Sequence, residues 1–286
     1  IFPFALGFGL ILLLGHSSIE AMFVGTAMSA TSIGITARVL SELNLLARKY
    51  SRVILGAAVL DDILALLLLV AVSGLGRGSL SLVNLALIVV EVLAFLFITL
   101  FVVRRIAKRR AASILKRLNI SNAPFAVAIV VSLGLSALSS YIGMAAIIGA
   151  FLAGVIFAET EDKFVLQREI APVYAFLVPF FFVVMGTKVD IKQFVNPTVV
   201  WLMLAVILLA IIGKLFGGFL GSTILGWRSA LNVGIGMIPR GEVGLIVASI
   251  GLGLGKVPLN MYSIVVSMSV ITTLIVPPIL KLTTKD

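Results

Sequence analysis

The chain has 286 residues, of which 61% are hydrophobic and 12% charged, with a formal net charge of +10. A soluble domain carries roughly 45–50% apolar and about 25% charged residues, so this composition excludes one and indicates an integral membrane protein. With no cysteine in the chain, disulfides, thiolate metal sites and cysteine nucleophiles are excluded as well.

A bilayer core of ~30 Å takes about 20 apolar helical residues. On that measure ten segments are predicted in chain order: 1–15, 20–43, 53–75, 82–103, 123–142, 144–158, 173–186, 199–225, 229–255 and 260–280. Ile1 begins in mid-helix without a starter Met, a charged n-region or a cleavage site, so further helices are expected ahead of it. The lone His16 cannot make a histidine metal cluster and reads as a polar loop residue.

The basic residues fall in short loops between these segments, where they orient the chain in lipid rather than bind nucleic acid. Of the 22 Lys and Arg, 16 lie on the side that holds the loops after even-numbered segments and four on the other, with Lys214 and Arg240 inside spans. The first side is therefore expected to be cytoplasmic. An error of one span would have scrambled this asymmetry. The basic stretch 104–119, RRIAKRRAASILKRLN, reads as a cytoplasmic linker helix lying at anionic headgroups.

Removing the loop residues leaves Asp61, Asp62, Glu91, Lys214, Arg240 and Glu242 at membrane depth. Each costs at least ~2.5–3.5 kcal/mol at a helix centre on insertion scales, so each should face protein or water and is a functional candidate. Asp61 and Asp62 differ by ~100° around a helix. One can meet a partner side chain while the other faces an aqueous cavity, and a proton and a metal cation can then compete for the same oxygens. Lys214 sits beside Gly213, Gly217 and Gly221, a stripe without side chains where close helix approach is expected; Asp61 on the neighbouring helix is its expected partner. Glu91 reads as a buried structural acid. Ala145, Gly149 and Ala153 form a second small-residue stripe, suited either to packing within the chain or to a dimer face.

Two segments carry their own breaks. The stretch 25–40 crowds Thr26, Ser29, Thr31, Ser32, Gly34 and Thr36 into mid-span, and 234–249 sets Pro239, Gly241 and Gly244 around Arg240 and Glu242. Glycine and proline disfavour continuous helix, and freed backbone groups at membrane depth are tolerated only where protein or water satisfies them. Each interrupted span is the second of a triplet, and an odd number of spans separates the two triplets. That arrangement points to an inverted-repeat transporter with its ion site at the midplane.

The motifs ATSIGITARVL (30–40), LGAAVLDDILALLLL (55–69), PFFFVVMGTKVD (179–190), IIGKLFGG (211–218) and IPRGEVGLIVAS (238–249), in this order, resemble the bacterial Na+/H+ antiporters of the monovalent cation:proton antiporter-2 family. The resemblance covers nearly the whole chain. It implies an all-α polytopic membrane protein of about twelve or thirteen spans, each of bilayer length, with two discontinuous crossing helices. It implies exchange of Na+, or of Li+ or K+, for H+ in the bacterial inner membrane, with no cofactor, no enzymatic activity and assembly as a homodimer. Asp62 would carry the cation or the proton, Asp61 would pair with Lys214 and share the Na+ site, Thr31 and Ser32 would lie in the first broken helix, and Arg240 and Glu242 would compensate charge in the second. The expected organisation is a core with its first repeat at 1–75, a span and basic linker at 76–122, dimerisation-side helices at 123–190 and the second core repeat at 191–286. Kef-type K+/H+ efflux relatives usually carry Gln-Asp at the acidic pair and a cytosolic nucleotide-binding domain; Asp-Asp here favours sodium.

Rival readings fare worse on the residues themselves. An intramembrane aspartyl protease needs two aspartates converging from different spans, and a prenyltransferase needs separated acidic motifs. A passive cation channel shares the same lining and separates from an antiporter only by saturable, proton-coupled flux.

Overall fold

A computed structural model describes residues 1–76, 123–141, 146–158 and 163–284, with Val90, Ala94, Phe97 and Phe101 besides. The predictions for Glu91, for segment 82–103 and for the basic stretch 104–119 lie outside the described residues. Among the described residues every regular element is helical. They include α1 (Phe2–Leu13), α2 (Ser18–Ser29), α3 (Ile33–Glu42), α4 (Lys49–Gly76), α5 (Ala123–Tyr141), α6 (Ala146–Ala158), α7 (Lys163–Thr187), α8 (Pro197–Gly221), α9 (Trp227–Gly236), α10 (Glu242–Gly253) and α11 (Leu259–Thr283). Six stretches among them are long and apolar enough to cross a membrane, counting Ser18–Glu42 as one. The protein is a multi-pass membrane protein.

The chain divides into two units, one made of Ile1–Ser79 with Val184–Asp286, the other of Leu80–Val183. Within the second unit α5 packs on α6. A Cβ on Gly149 would overlap the Leu135 carbonyl, and Ala153 is fully buried. Gly149 and Ala153 are thus used for packing inside the chain, as small residues are wherever lipid gives helices no hydrophobic reason to associate; Ala145 lies outside the described residues. Helix α7 departs from expectation: it begins at Lys163 rather than near 173 and runs for 25 residues through Pro172 and Pro179. Its polar first turns, with Gln167, Arg168 and Glu169, read as loop in sequence, and Pro172 and Pro179 both lie inside the helix.

In the first unit α8 shows how burial is allotted. Asn196 caps it by accepting the Thr198 N–H at 3.0 Å, and Pro197 occupies the first helical position, where its missing N–H costs nothing. Trp201, Leu204, Leu208, Ile212 and Phe216 are exposed and recur at three to four residues, one outward stripe of a helix. Val206, Ala210, Gly213 and Lys214 are buried on the other side. Two close approaches follow from glycine there: a Cβ on Gly218 would lie 2.8 Å from Gly234 Cα on α9, and one on Gly213 would lie 2.9 Å from Pro3 Cα on α1. Gly221 meets nothing within 4 Å, so the expected Gly213, Gly217, Gly221 stripe supplies only part of the packing, and Gly218 makes the contact with α9.

Both spans expected to break do so. The first is helical to Ser29 and resumes at Ile33; the second is helical to Gly236 and resumes at Glu242. Residues Leu40, Ile54, Ala58, Val233, Ile235, Met237, Ile238, Val276 and Leu280 form one buried cluster that locks α3, α4, α9 and α11 together below the breaks.

Candidate functional site

The two breaks meet. The Ser32 N–H donates to the Pro239 carbonyl at 2.9 Å, and the Thr36 hydroxyl donates to the Gly236 carbonyl at 2.8 Å. A Cβ on Gly241 would lie 2.6 Å from Ser32 Cβ, so the second break passes the first with no room for a side chain. Each break thereby satisfies backbone groups freed by the other, as membrane depth requires.

Arg240 is 1% exposed and lies between the broken ends. Its Nη1 donates to the carbonyls of Ala30 at 3.2 Å and Met237 at 3.4 Å, and its Nη2 to the Ala210 carbonyl at 2.9 Å. Ala30 and Met237 are the C-terminal caps of α2 and α9, so one guanidinium faces two negative helix ends. Its own backbone is held by Thr272 and Thr273 on α11: the Arg240 N–H donates to Thr272 Oγ1 at 3.3 Å, and Thr273 Oγ1 donates to the Arg240 carbonyl at 2.8 Å. Glu242 opens α10 at the opposite pole of the break, where a helix start favours negative charge; its side chain is exposed and within Coulombic reach of Asp62.

Beside the breaks, on α4, stands the acidic pair. Asp61 Oδ2 accepts from Lys214 Nζ and from Thr31 Oγ1, both at 2.5 Å. Lys214 is 6% exposed, and a cation so buried persists only with a partner of this kind. The expected Asp61–Lys214 pair is therefore present, and Thr31 joins it from the break itself. Asp62 turns elsewhere. It is half-buried, and its Oδ1 is buried with no hydrogen-bond partner among the described residues. A buried carboxylate oxygen without a donor could take a hard cation or a proton.

A cavity of about 440 Å³ reaches the pair between α4 and α8, lined by Val53, Ala57, Asp61, Lys214, Gly217 and Ser222 among others. The acid on this cavity is Asp61, the paired one. Asp62 is not part of its lining: the carboxylate paired with Lys214 is also the one at this cavity, and the ~100° between adjacent residues points Asp62 in another direction.

The sequence residues Thr31, Ser32, Asp61, Lys214 and Arg240 are thus brought together around the breaks, with Asp62 and Glu242 adjoining. Ser32 contributes its backbone N–H and its close fit against Gly241. Thr36 was named with the first break but given no role, and Thr272 and Thr273, the other hydroxyls that fix the unwound backbone, were not foreseen, nor was the Ala210 carbonyl. Their only sequence signal is a hydroxyl in an apolar span, which is common in membrane helices.

Comparison with known proteins places the chain in a family. Residues 1–285 match the family model described as sodium/hydrogen exchanger, transmembrane. The chain belongs to the sodium/hydrogen exchanger family. This exchanger-family chain is 38% identical over 290 residues to the high-affinity Na+/H+ antiporter NhaS3 of Synechocystis, across 98% of its own length and 62% of that protein's. It is 37% identical to the Na+/H+ antiporter of Enterococcus hirae, covering 93% of itself and 70% of the relative. With the Na+/H+-K+ antiporter GerN of Bacillus cereus it shares 32% identity over 99% of itself and 73% of the relative. The chain therefore spans under two thirds of the first of these relatives.

Proposed function

We propose that the protein exchanges Na+ for H+ across a bacterial inner membrane by alternating access, with Asp62 holding either ion in turn. The observation that carries this reading is the donorless, buried Oδ1 of Asp62 beside two interrupted helices. Asp61, Lys214, Thr31 and Ser32 complete the ion and proton site, and the substrate cation is shared between the carboxylates of Asp62 and Asp61. The neighbourhood supplies what such a cation needs: carboxylate, hydroxyl and backbone oxygens without a soft ligand.

The residues work as follows. Arg240 and Glu242 compensate the half-helix ends, so the unwound segments keep their shape whether the acids are charged or neutral. Lys214 holds its proton while Asp61 is free to pair with it. A cation arriving at the two carboxylates competes for Asp61, and Lys214 then releases its proton. Two protons would leave for each Na+, making the cycle carry current. Asp62 holds the cation or a proton and never both, which couples the fluxes.

The cavity is lined by Val53, Ala57 and Leu60 of α4 and by Gly217, Gly218 and Gly221 of α8, with the start of α1 and part of α9, and the α4 and α8 residues lie toward the ends nearest Arg52 and Arg228, on the side assigned to the cytoplasm by charge. That supports an inward-facing state. The first unit, with both breaks, serves as the moving core of a homodimer. GerN's name includes K+, so a K+/H+ exchange reading is retained as the second possibility and is decided by the same assay. In proteoliposomes of the full-length protein, Na+ should dissipate an imposed pH gradient and Asp62→Asn should abolish the effect; full activity in that variant removes Asp62 from the mechanism. Repeating the assay with Li+ and K+ ranks the substrates.

A further inference from the structure

The motif PFFFVVMGTKVD (179–190) has no part in the site described above, yet its last residues hold a definite place. Helix α7 finishes at Thr187, and the chain is pinned to α11 on both sides of Lys188. Tyr262 Oη donates to the Met185 carbonyl at 2.9 Å, and the Asp190 N–H donates to Ser263 Oγ at 3.2 Å. Between these anchors Lys188 Nζ donates to Ser249 Oγ on α10 at 3.2 Å. That hydroxyl is neutral, and no ion pair among the described residues includes Lys188. The Asp190 carboxylate is turned to other donors, the Lys192 N–H and Gln193 Nε2, both at 3.1 Å. An ammonium is therefore held against α10 without a counter-charge in contact.

Helix α10 has two sides. Gly244, Leu245, Val247 and Ala248 are buried, whereas Glu242 is exposed and Ile246 and Ser249 are partly so. The last three recur at spacings of four and three, which is one stripe of a helix. The stripe runs ~11 Å at 1.5 Å per residue from Glu242, at the break, to Ser249, where Lys188 closes it. An ionisable side chain at membrane depth that protein does not bury faces water rather than lipid, so the stripe begins in an aqueous space. Asp62 is within Coulombic reach of Glu242 and lies off the cavity between α4 and α8. The stripe leads from that neighbourhood to the face opposite the arginine-rich one.

We propose that Lys188 is an electrostatic gatekeeper on the outer route to Asp62: held over the end of the α10 stripe by Ser249, its ammonium raises the Na+ concentration needed on that face and speeds the escape of Na+ delivered there. The proposal rests on the exchange reading above. Like charges about a helix-length apart repel weakly in water and more strongly where the walls are of low dielectric, and a cleft with such walls focuses the field along its length. Added salt screens the effect.

Two measurements on full-length protein test this. In right-side-out and everted vesicles at low ionic strength, the KM for Na+ on the Lys188 face should fall about threefold in Lys188→Gln and stay at the parent's value in Lys188→Arg. The KM on the arginine-rich face should not move, and concentrated choline chloride should remove the difference. The second measurement needs no transport. A thiol introduced by Ile246→Cys, with any other cysteine removed, is modified from the Lys188 face by a cationic and by an anionic thiosulfonate; adding Lys188→Gln should lower the anionic-to-cationic rate ratio about threefold. An unchanged KM in Lys188→Gln, an equal change on both faces, or an unchanged reagent ratio overturns the proposal and leaves exchange intact. Absence of Na+-driven flux in the unsubstituted protein overturns the exchange reading instead, and the reagent ratio still decides whether Lys188 sets the field along α10.

Discussion

A lysine 6% exposed in an apolar span is costly by itself, and the structure shows what offsets it: one carboxylate oxygen at 2.5 Å, shared with a threonine hydroxyl. Removing one member of a buried ion pair destabilises by about 3–5 kcal/mol because the other is left uncompensated. Lys214→Ala should therefore lower the melting temperature in detergent, and the exchange that survives should lose its current; unchanged electrogenicity would show that Lys214 carries no transported proton. Arg240 is a different case, since it meets carbonyls rather than an acid. In Arg240→Met the acceptors of Ala30, Met237 and Ala210 lose their donor, at about 1–3 kcal/mol for each group left unpaired. We expect marked thermal destabilisation with loss of transport, and a variant as stable as the parent would contradict the assigned hydrogen bonds. The Asp61–Lys214 pair was legible in sequence because a membrane-buried charge demands a partner and few were on offer. The role of Thr31 as a donor to Asp61 was not, since nothing in a run of small polar residues says which hydroxyl points across to another helix.

Elements follow a similar division. The breaks were legible as two mid-span stretches rich in small, polar or helix-disfavouring residues, but their position was not. The first break, at residues 30–32, contains neither glycine nor proline; Gly34 lies inside α3. Residues 30–32 are unwound because the Ser32 N–H and the Ala30 carbonyl find partners on the second break, a tertiary cause invisible to local propensity. The start of α7 was misjudged because its polar first turns, with Gln167, Arg168 and Glu169, were read as loop although the helix runs through them. Packing between elements gives a sharper prediction. A methyl group at Gly218 would meet Gly234 Cα at 2.8 Å, and backbone cannot step aside as a side chain can, so Gly218→Ala should cost about 1–3 kcal/mol as an overpacked contact. Gly221→Ala, with nothing within 4 Å, should be neutral. Equal melting temperatures for the two variants would show that α8 and α9 are not so closely apposed.

Across the whole molecule, the charge asymmetry, the two breaks and the acidic pair have a common rationale. A transporter must expose one polar centre to either side of an apolar slab without leaving unpaired backbone in lipid. Here the unwound segments satisfy each other, Arg240 and Glu242 sit at the helix poles that suit their charges, and a cavity of about 440 Å³ leads to Asp61 from the ends of α4 and α8. The proposed exchange has cation and proton share one acidic locus, and that sharing of a site is open to direct measurement. Full-length protein in weakly buffered detergent, mixed with NaCl or with choline chloride at equal ionic strength, can be followed by a pH indicator. The account predicts saturable proton release with NaCl alone, absent in Asp62→Asn. Sodium binding without proton release, or equal release from Asp62→Asn, would contradict it.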